Sequence, residues 1–357
     1  MDYGARQKRL AGGFKTLEVD AMLVTHMPNV RYLTGFTGSA GVLLAASRPV
    51  FTTDGRYREQ AAHQVERARV VVGKGSALAS AILEIKKARI RRLGIEAEHM
   101  TVATRRILSR ELGRNTKLVD TSDVVEKLRI VKDRDEIRLI RKAVNLGSEL
   151  LPVVCKALKA GQSETSAAAH LEFAARERGA EAMSFETIVA AGSRSALPHG
   201  VASATRLPRR GFVVLDYGVI LNGYCSDMTR TVCMGRVTSE QRRVYDAVLE
   251  AQLAAIAAVA PGRTAGEVDE AARDVLKRAG LGQYFIHSTG HGVGLEIHES
   301  PRVAARQTDL LQPGMVITIE PGVYIGGKFG VRIEDMVLVT ERGSEVLTRA
   351  PKVLLEL

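Results

Sequence analysis

The sequence predicts an α/β domain over residues 1–125 followed by an α+β domain over residues 126–357, and three observations lead there. A chain of 357 residues exceeds what one hydrophobic core ordinarily supports. Strand-like and helix-like periodicities alternate through its first third, then give way to hairpin-forming strands around long helices. Between the two regimes lies a highly charged stretch, DVVEKLRIVKDRDE, from Asp123 to Glu136.

Short apolar runs at Ala21–Val24, Tyr32–Leu33, Gly41–Ala46 and Val50–Phe51, broken by turn residues, read as strands. Helical spacing follows in Tyr57–Val65 and Ala77–Ala88, then a strand at Arg92–Ile95 and a helix near Thr104–Leu112. Asp133, Asp135 and Glu136 put negative charge where the partial positive charge of a helix start favours it, so a long helix is expected to run on to Ala157 or Lys159. After the turn at Gly161, Ser163 is placed to cap a second helix, Glu164–Arg178. Beyond Gly179, strands are expected at Thr187–Ala191, Phe212–Tyr217, Tyr224–Cys233, Val316–Ile319, Val323–Ile325 and Val331–Val339. They surround two helices, about Ser239–Val259 and Ala265–Ala279, and no repeat of solenoid period is present.

Composition excludes several function classes. With 45% hydrophobic and 25% charged residues and 10 prolines, the chain has apolar surface enough to fold throughout. No run approaches a membrane-spanning length of uninterrupted apolar residues and Met1–Asp20 is charged throughout, so neither a membrane partner nor a signal peptide is expected, and the default location is the cytoplasm. Cys155, Cys225 and Cys233 match no zinc-ligand spacing and are expected to be free thiols, as in a reducing compartment. The net charge of +11 sits almost wholly in the first domain: residues 1–130 hold 23 Lys and Arg against 13 Asp and Glu, the remainder 28 against 27. Its basic stretch, Lys86, Lys87, Arg89, Arg91 and Arg92, lacks interleaved aromatics and no nucleic-acid-binding motif appears, so it reads as a solvated face with no nucleic-acid partner.

The residues that carry chemistry lie in the second domain. Asp216 and Asp227 sit in apolar β segments on either side of Asn222-Gly223, a strong two-residue hairpin signal. With that turn, Leu221 faces Tyr224 and Asp216 lies opposite Thr229, so Asp227 shares a face with Asp216 as a diagonal neighbour. Two like charges held so close need a cation or a proton. A loop of Gly326-Gly327-Lys328 repeats the arrangement by putting Glu320 across from Glu334. Four carboxylates embedded among Val, Ile and Leu are poorly explained as solubilising charges. Between the hairpins, FIHSTGHGVGLEIHES holds His287, His291 and His298, with glycines that permit close backbone approach, and His199 lies upstream in ALPHG. Four carboxylates and an imidazole are the ligand set for two divalent metals, and mostly oxygen ligands suit Mn, Co or Zn. Such a pair lowers the pKa of a shared water and supplies hydroxide for attack on a carbonyl.

DYGVILNGYCSDMTRT, HSTGHGVGLEIHES, ITIEPGVY and GVRIED closely resemble the pita-bread metallopeptidases, in particular the Xaa-Pro group of prolidase and aminopeptidase P. NVRYLTGFTGSAGVLL and FTTDGRYREQA look like the creatinase-type N-terminal domain, so the resemblance covers nearly the whole chain. It implies Asp216, Asp227, His291, Glu320 and Glu334 as metal ligands, with Asp227 and Glu334 bridging the ions and Glu320 shuttling the proton. His199 and His298 fall where the family places histidines that contact the substrate, and His287, Arg332 and Thr229 where groups orient the ligands, a structural role being the alternative for His287 and packing for Thr229. Phe185 is implied as an apolar wall against the proline ring, otherwise a core residue, and Arg302 as a clamp on a dipeptide's C-terminus, otherwise a solvated arginine. The implied partners are proline-containing di- or oligopeptides and a second copy of the chain in a homodimer. The competing expectations are a methionine or broad-specificity aminopeptidase on the same fold and a noncatalytic pita-bread binding module.

Overall fold

The computed structural model describes residues 1–357. Two compact units emerge, Met1–Arg129 and Ile130–Leu357. The first is built on a six-stranded mixed sheet of β1 (Ala21–Val24), β2 (Val42–Ala45), β3 (Val50–Asp54), β4 (Arg69–Gly73), β5 (Arg92–Glu96) and β6 (Lys117–Thr121), in the order β4-β3-β2-β1-β5-β6. Its helices are α1 (Tyr3–Gly12), α2 (Met27–Thr34), α3 (Arg58–Gln64), α4 (Ala77–Lys87), α5 (Val102–Leu112) and α6 (Val124–Ile130). Leu23, Leu44, Ala81, Ile85, Leu93, Ile95 and Leu108 form its core, so apolar faces of α4 and α5 cover the central strands.

One expected strand is a helix. Tyr32–Leu33 lies inside α2, whose start and stop are written locally: Pro28 is pre-set for the first turn, and Gly35 ends it in the left-handed region at φ 83°. A two-residue apolar run carries no period, and these end signals outweigh it. Strands β4 and β6, not anticipated, lie at the two edges of the sheet, where partial exposure weakens the apolar signal.

The second unit opens with α7 (Arg134–Ala157), capped reciprocally by Asp133 and Glu136, and α8 (Glu164–Glu177), whose Ser166 N–H is accepted by Ser163 Oγ at 3.1 Å. Three-stranded antiparallel sheets follow: β7 (Ala182–Met183) with β10 (Val219–Leu221) and β11 (Tyr224–Cys225), and β8 (Ile188–Ala191) with β9 (Gly211–Tyr217) and β12 (Met228–Met234). Next come α9 (Ser239–Ala258) and α10 (Ala265–Arg278), capped by Thr238 and Thr264. The five-stranded sheet β14-β13-β15-β18-β19 and the hairpin β16-β17 complete the unit: β13 (Gly290–Gly292), β14 (Glu299–Val303), β15 (Val316–Ile319), β16 (Gly322–Ile325), β17 (Phe329–Arg332), β18 (Asp335–Thr340) and β19 (Gly343–Val346).

The period of two along these strands decides which way the acids face. In β9, Val213, Leu215 and Tyr217 pack under α7 and α8, which turns Asp216 to the opposite face. In β15 and β18, Ile317, Ile319, Val337 and Val339 pack with α9 and α10, leaving the alternate positions, including Thr318, on the other side. Apolar burial on one face of each sheet thus delivers polar positions to the other. No helix is long and apolar enough to cross a membrane, and the three cysteines are free.

Candidate metal centre

Both hairpins have the expected register. Leu221 pairs with Tyr224 and Asp216 with Thr229. In the second, Ile325 pairs with Phe329 and Ile319 with Asp335, so Glu320 and Glu334 fall opposite one another in the gap between two ladders. Asp227 lies in the corresponding gap of the first hairpin, between the β10-β11 pairing, which ends at Ile220 and Cys225, and the β9-β12 ladder. The chain bends at these interruptions, which frees the acids from alternating strictly in and out. Gly218, across from Asp227, is required by that bend, since a Cβ there would strike the Ser226 carbonyl. The gaps meet where Glu334 N–H donates to the Thr229 carbonyl at 3.1 Å, while Glu320 N–H donates to the Thr289 carbonyl at 2.7 Å beside β13.

These elements enclose a cavity of about 850 Å³ lined by Asp216, Asp227, His291, Glu320 and Glu334, and by Phe185, His199, His287, His298, Arg302 and Arg332. Every site residue singled out from the sequence reaches it except Thr229, which lies directly behind. Thr229 Oγ1 donates to Glu334 Oε2 at 2.7 Å and accepts from Arg332 Nε at 3.1 Å. Asp227, His291 and Glu334 each offer a ligand atom within 4.8 Å of the others. His291 Nε2 stands 3.5 Å from Asp227 Oδ2 and 3.4 Å from Glu320 Oε1. Arg332 forms an ion pair with Asp216 Oδ2, and its Nη1 donates to the Tyr324 hydroxyl at 2.6 Å.

The electrostatics are those of a site that wants cations. Burial, then the negative charges of Glu334, Asp216 and Glu320, push the Asp227 carboxyl well above its usual range. Burial and the neighbouring Glu320 and Asp216 do the same to Glu334, and burial foremost raises Glu320 to about 8. His291 is lowered to about 4, chiefly by burial, which keeps the imidazole neutral as a metal ligand must be. Asp216 Oδ1 is buried and has no hydrogen-bond partner. A buried acceptor left unpaired is costly, and a bound cation is the partner that this oxygen lacks. The donor set, four carboxylates and one imidazole around an unsatisfied oxygen, therefore fits divalent metal ions.

His287 Nδ1–H donates to the Ser288 carbonyl, so Nε2 accepts from the Tyr324 hydroxyl at 2.9 Å, which braces Tyr324 and, through it, Arg332. Burial and the Arg332 charge hold it near 4. His298 stacks edge-on against His291, centroids 4.5 Å apart, and His199 and Arg302 are exposed at the cavity wall. Tyr324, Glu186 and Glu299 were not singled out from the sequence, although the latter two line the cavity. Tyr324 lies within ITIEPGVY, and the required smallness of Gly322, whose Cβ would meet the Tyr324 ring, was its only local signal.

Residues 138–341 match metallopeptidase family M24, and residues 6–131 match the creatinase/prolidase N-terminal domain. The chain is 38% identical to an Xaa-Pro dipeptidase of Pyrococcus horikoshii, over 94% of this chain and 95% of that one. Among solved structures, it is similar to an Xaa-Pro dipeptidase from Bacillus anthracis, with TM-score 0.97, 40% identity and all of both chains covered. An X-Pro aminopeptidase from Thermotoga maritima superposes with TM-score 0.91 and 34% identity, over 97% of this chain and 100% of that one.

Proposed function

Since this chain belongs to metallopeptidase family M24 and is a metallo-exopeptidase that hydrolyses Xaa-Pro bonds, we propose that it acts on Xaa-Pro dipeptides with two divalent ions held by Asp216, Asp227, His291, Glu320 and Glu334. The observation that carries this is the convergence of those five side chains on one cavity around the unpartnered Asp216 Oδ1. Asp227 and Glu334, which with His291 offer ligand atoms within 4.8 Å of one another, would be the carboxylates shared between the two ions, as the resemblance implies. When bound, the ions polarise the scissile carbonyl and acidify a shared water. Manganese is the proposed ion, and cobalt or zinc would use the same donors.

The protein's own groups do the rest. Glu320 takes the proton of the attacking water and returns it to the proline nitrogen, a tertiary amide nitrogen that leaves poorly unless protonated. Burial pushes its carboxyl up, and Thr318 Oγ1, donating at 3.2 Å, orients it and pulls it back toward the carboxylate. His298 and His199 face the cavity as donors to the oxyanion that develops on the scissile carbonyl. Burial lowers the His298 pKa, so its donor is a neutral N–H. Phe185 supplies an apolar wall for the proline ring, and Arg332, locked by Asp216, Thr229 and Tyr324, keeps the ligands oriented.

Arg302 supports the dipeptide preference. It is exposed in the cavity on β14, directly paired across the ladder with His291, so its guanidinium is placed to receive the carboxylate that follows proline in a dipeptide. A homodimer in the cytoplasm, where three free thiols persist, completes the reading. Hydrolysis of Ala-Pro, Ala-Pro-Ala and Met-Ala by metal-depleted and manganese-reloaded protein tests it. Restored cleavage of Ala-Pro in preference to Ala-Pro-Ala is expected, and cleavage of Met-Ala alone refutes it.

A further inference from the structure

We propose that Glu164, acting with Arg194, is a positioning residue that fixes His199 at the cavity, an inference that rests on the reading above that His199 touches the substrate. The His199 side chain is exposed and makes no hydrogen bond, so it stands wherever its loop puts it. That loop leaves β8 at Ala191 and returns at Ser203, and a single carboxylate ties its two ends. Glu164, fully buried at the first turn of α8, receives Ala191 N–H at 2.9 Å on Oε1. Its Oε2 receives Ser203 N–H at 3.0 Å and Ser203 Oγ–H at 2.6 Å. Arg194 Nε donates to both oxygens, at 3.2 and 3.0 Å, and Arg194 Nη2 donates to the Val201 carbonyl at 2.8 Å. The ring of bonds therefore closes on both sides of His199, five residues before it at Arg194 and two residues after it at Val201.

The chemistry makes this an all-or-none clamp. A carboxylate is an acceptor on both oxygens, and here every donor is an N–H or O–H aimed at it. An amide of the same size presents an NH₂ to one side, against donors, so that side must open. Negative charge is also favourable at a helix N-terminus, which is why α8 can bury this group there. Glu164, Arg194, Ala191 and Ser203 stand off the cavity and only Val201, itself in the loop, lines it, so the effect of this network on hydrolysis passes through the loop.

Steady-state hydrolysis of an Xaa-Pro dipeptide by H199A, E164Q, R194K and the R194K/H199A double variant, with metal content and thermal midpoint measured on each, tests the assignment. Both E164Q and R194K are expected to lower kcat/KM by roughly tenfold to a hundredfold, the cost of misplacing a reacting group by about an ångström. Metal content should stay at the wild-type level. Added to H199A, R194K should cost no more than about twofold, because its effect runs through a side chain already gone. Full multiplication of the two losses overturns the proposal, as does an R194K enzyme of wild-type activity beside an inactive H199A. R194K serves because Arg194 is partly exposed and its replacement leaves the protein folded if E164Q does not fold. An H199A enzyme with wild-type activity would instead refute the His199 reading. Hydrogen exchange over residues 191–203 in R194K then decides the clamp, faster exchange supporting it and unchanged exchange overturning it.

Discussion

Replacing Thr229 with valine should loosen the metal centre without touching a ligand. Thr229 is fully buried, and its hydroxyl is the only group joining Glu334 Oε2, at 2.7 Å, to Arg332 Nε, at 3.1 Å. Valine fills nearly the same volume, so T229V removes those two bonds and little else. A hydrogen bond to a charged group contributes about 1.5–3 kcal/mol, and the buried Arg332 N–H left behind costs a similar amount. If the first term appears in metal affinity, Kd for manganese rises by roughly tenfold to a hundredfold, the range in which groups behind metal ligands ordinarily act. The second term lowers the thermal midpoint of the metal-free protein by several degrees, about 2–4 °C for each kcal/mol in a unit of this size. T229S, which keeps the hydroxyl, should restore affinity to within about threefold. Titration of metal-free protein with manganese against a competing chelator measures Kd, and calorimetry gives the midpoint. A T229V protein that binds manganese as tightly as wild type, while T229S does not differ from it, would show that the Thr229 hydroxyl does not orient Glu334.

Lys132 and Glu299 form an ion pair at 3.1 Å with side chains 1% and 7% exposed, and K132M removes the ammonium from that pair. Breaking such a pair costs about 3–5 kcal/mol, so the midpoint of the catalytic unit should fall by on the order of 10 °C in calorimetry. Gly290 is expected to tolerate no side chain, since a Cβ there would collide with the Thr318 carbonyl: G290A should push β13 from β15, destabilising by about 1–3 kcal/mol and displacing His291, seen as lost manganese binding in the same titration. Burial raises the Cys155 thiol to about 11, so its thiolate is scarce at pH 8. Its alkylation rate should keep rising up to about pH 11 rather than levelling near the pH of an ordinary exposed thiol, about 8.5. R302A should raise KM for Ala-Pro by at least tenfold, the order of one lost charged hydrogen bond, while leaving Ala-Pro-Ala within about threefold.

Sequence alone settled what depends on neighbours in the chain. Asn222-Gly223 closes a two-residue turn, and the register of Leu221 with Tyr224 and of Asp216 with Thr229 follows from it, because the turn admits one register and the interruption at Gly218 and Asp227 does not shift it. The second hairpin follows from Gly326-Gly327-Lys328 in the same way, and the cap Ser163 marks where α8 begins. Even the misread α2 carried its own punctuation in Pro28 and Gly35, whereas the expected strands Tyr224–Cys233 and Val331–Val339 are each broken in two, beside Asp227 and Glu334. Tertiary structure decided which hairpin meets which. The bond from Glu334 N–H to the Thr229 carbonyl joins residues more than a hundred positions apart, and the seating of α7 and α8 on one side and α9 and α10 on the other brings them there. It likewise decided that Glu164 would close the His199 loop and that Tyr324 would stand between His287 and Arg332. Turn chemistry and strand period act over a few residues and are written in residue type. Burial acts between surfaces that only the folded chain brings together, so a lone buried glutamate or tyrosine has no local pattern by which to announce its partner.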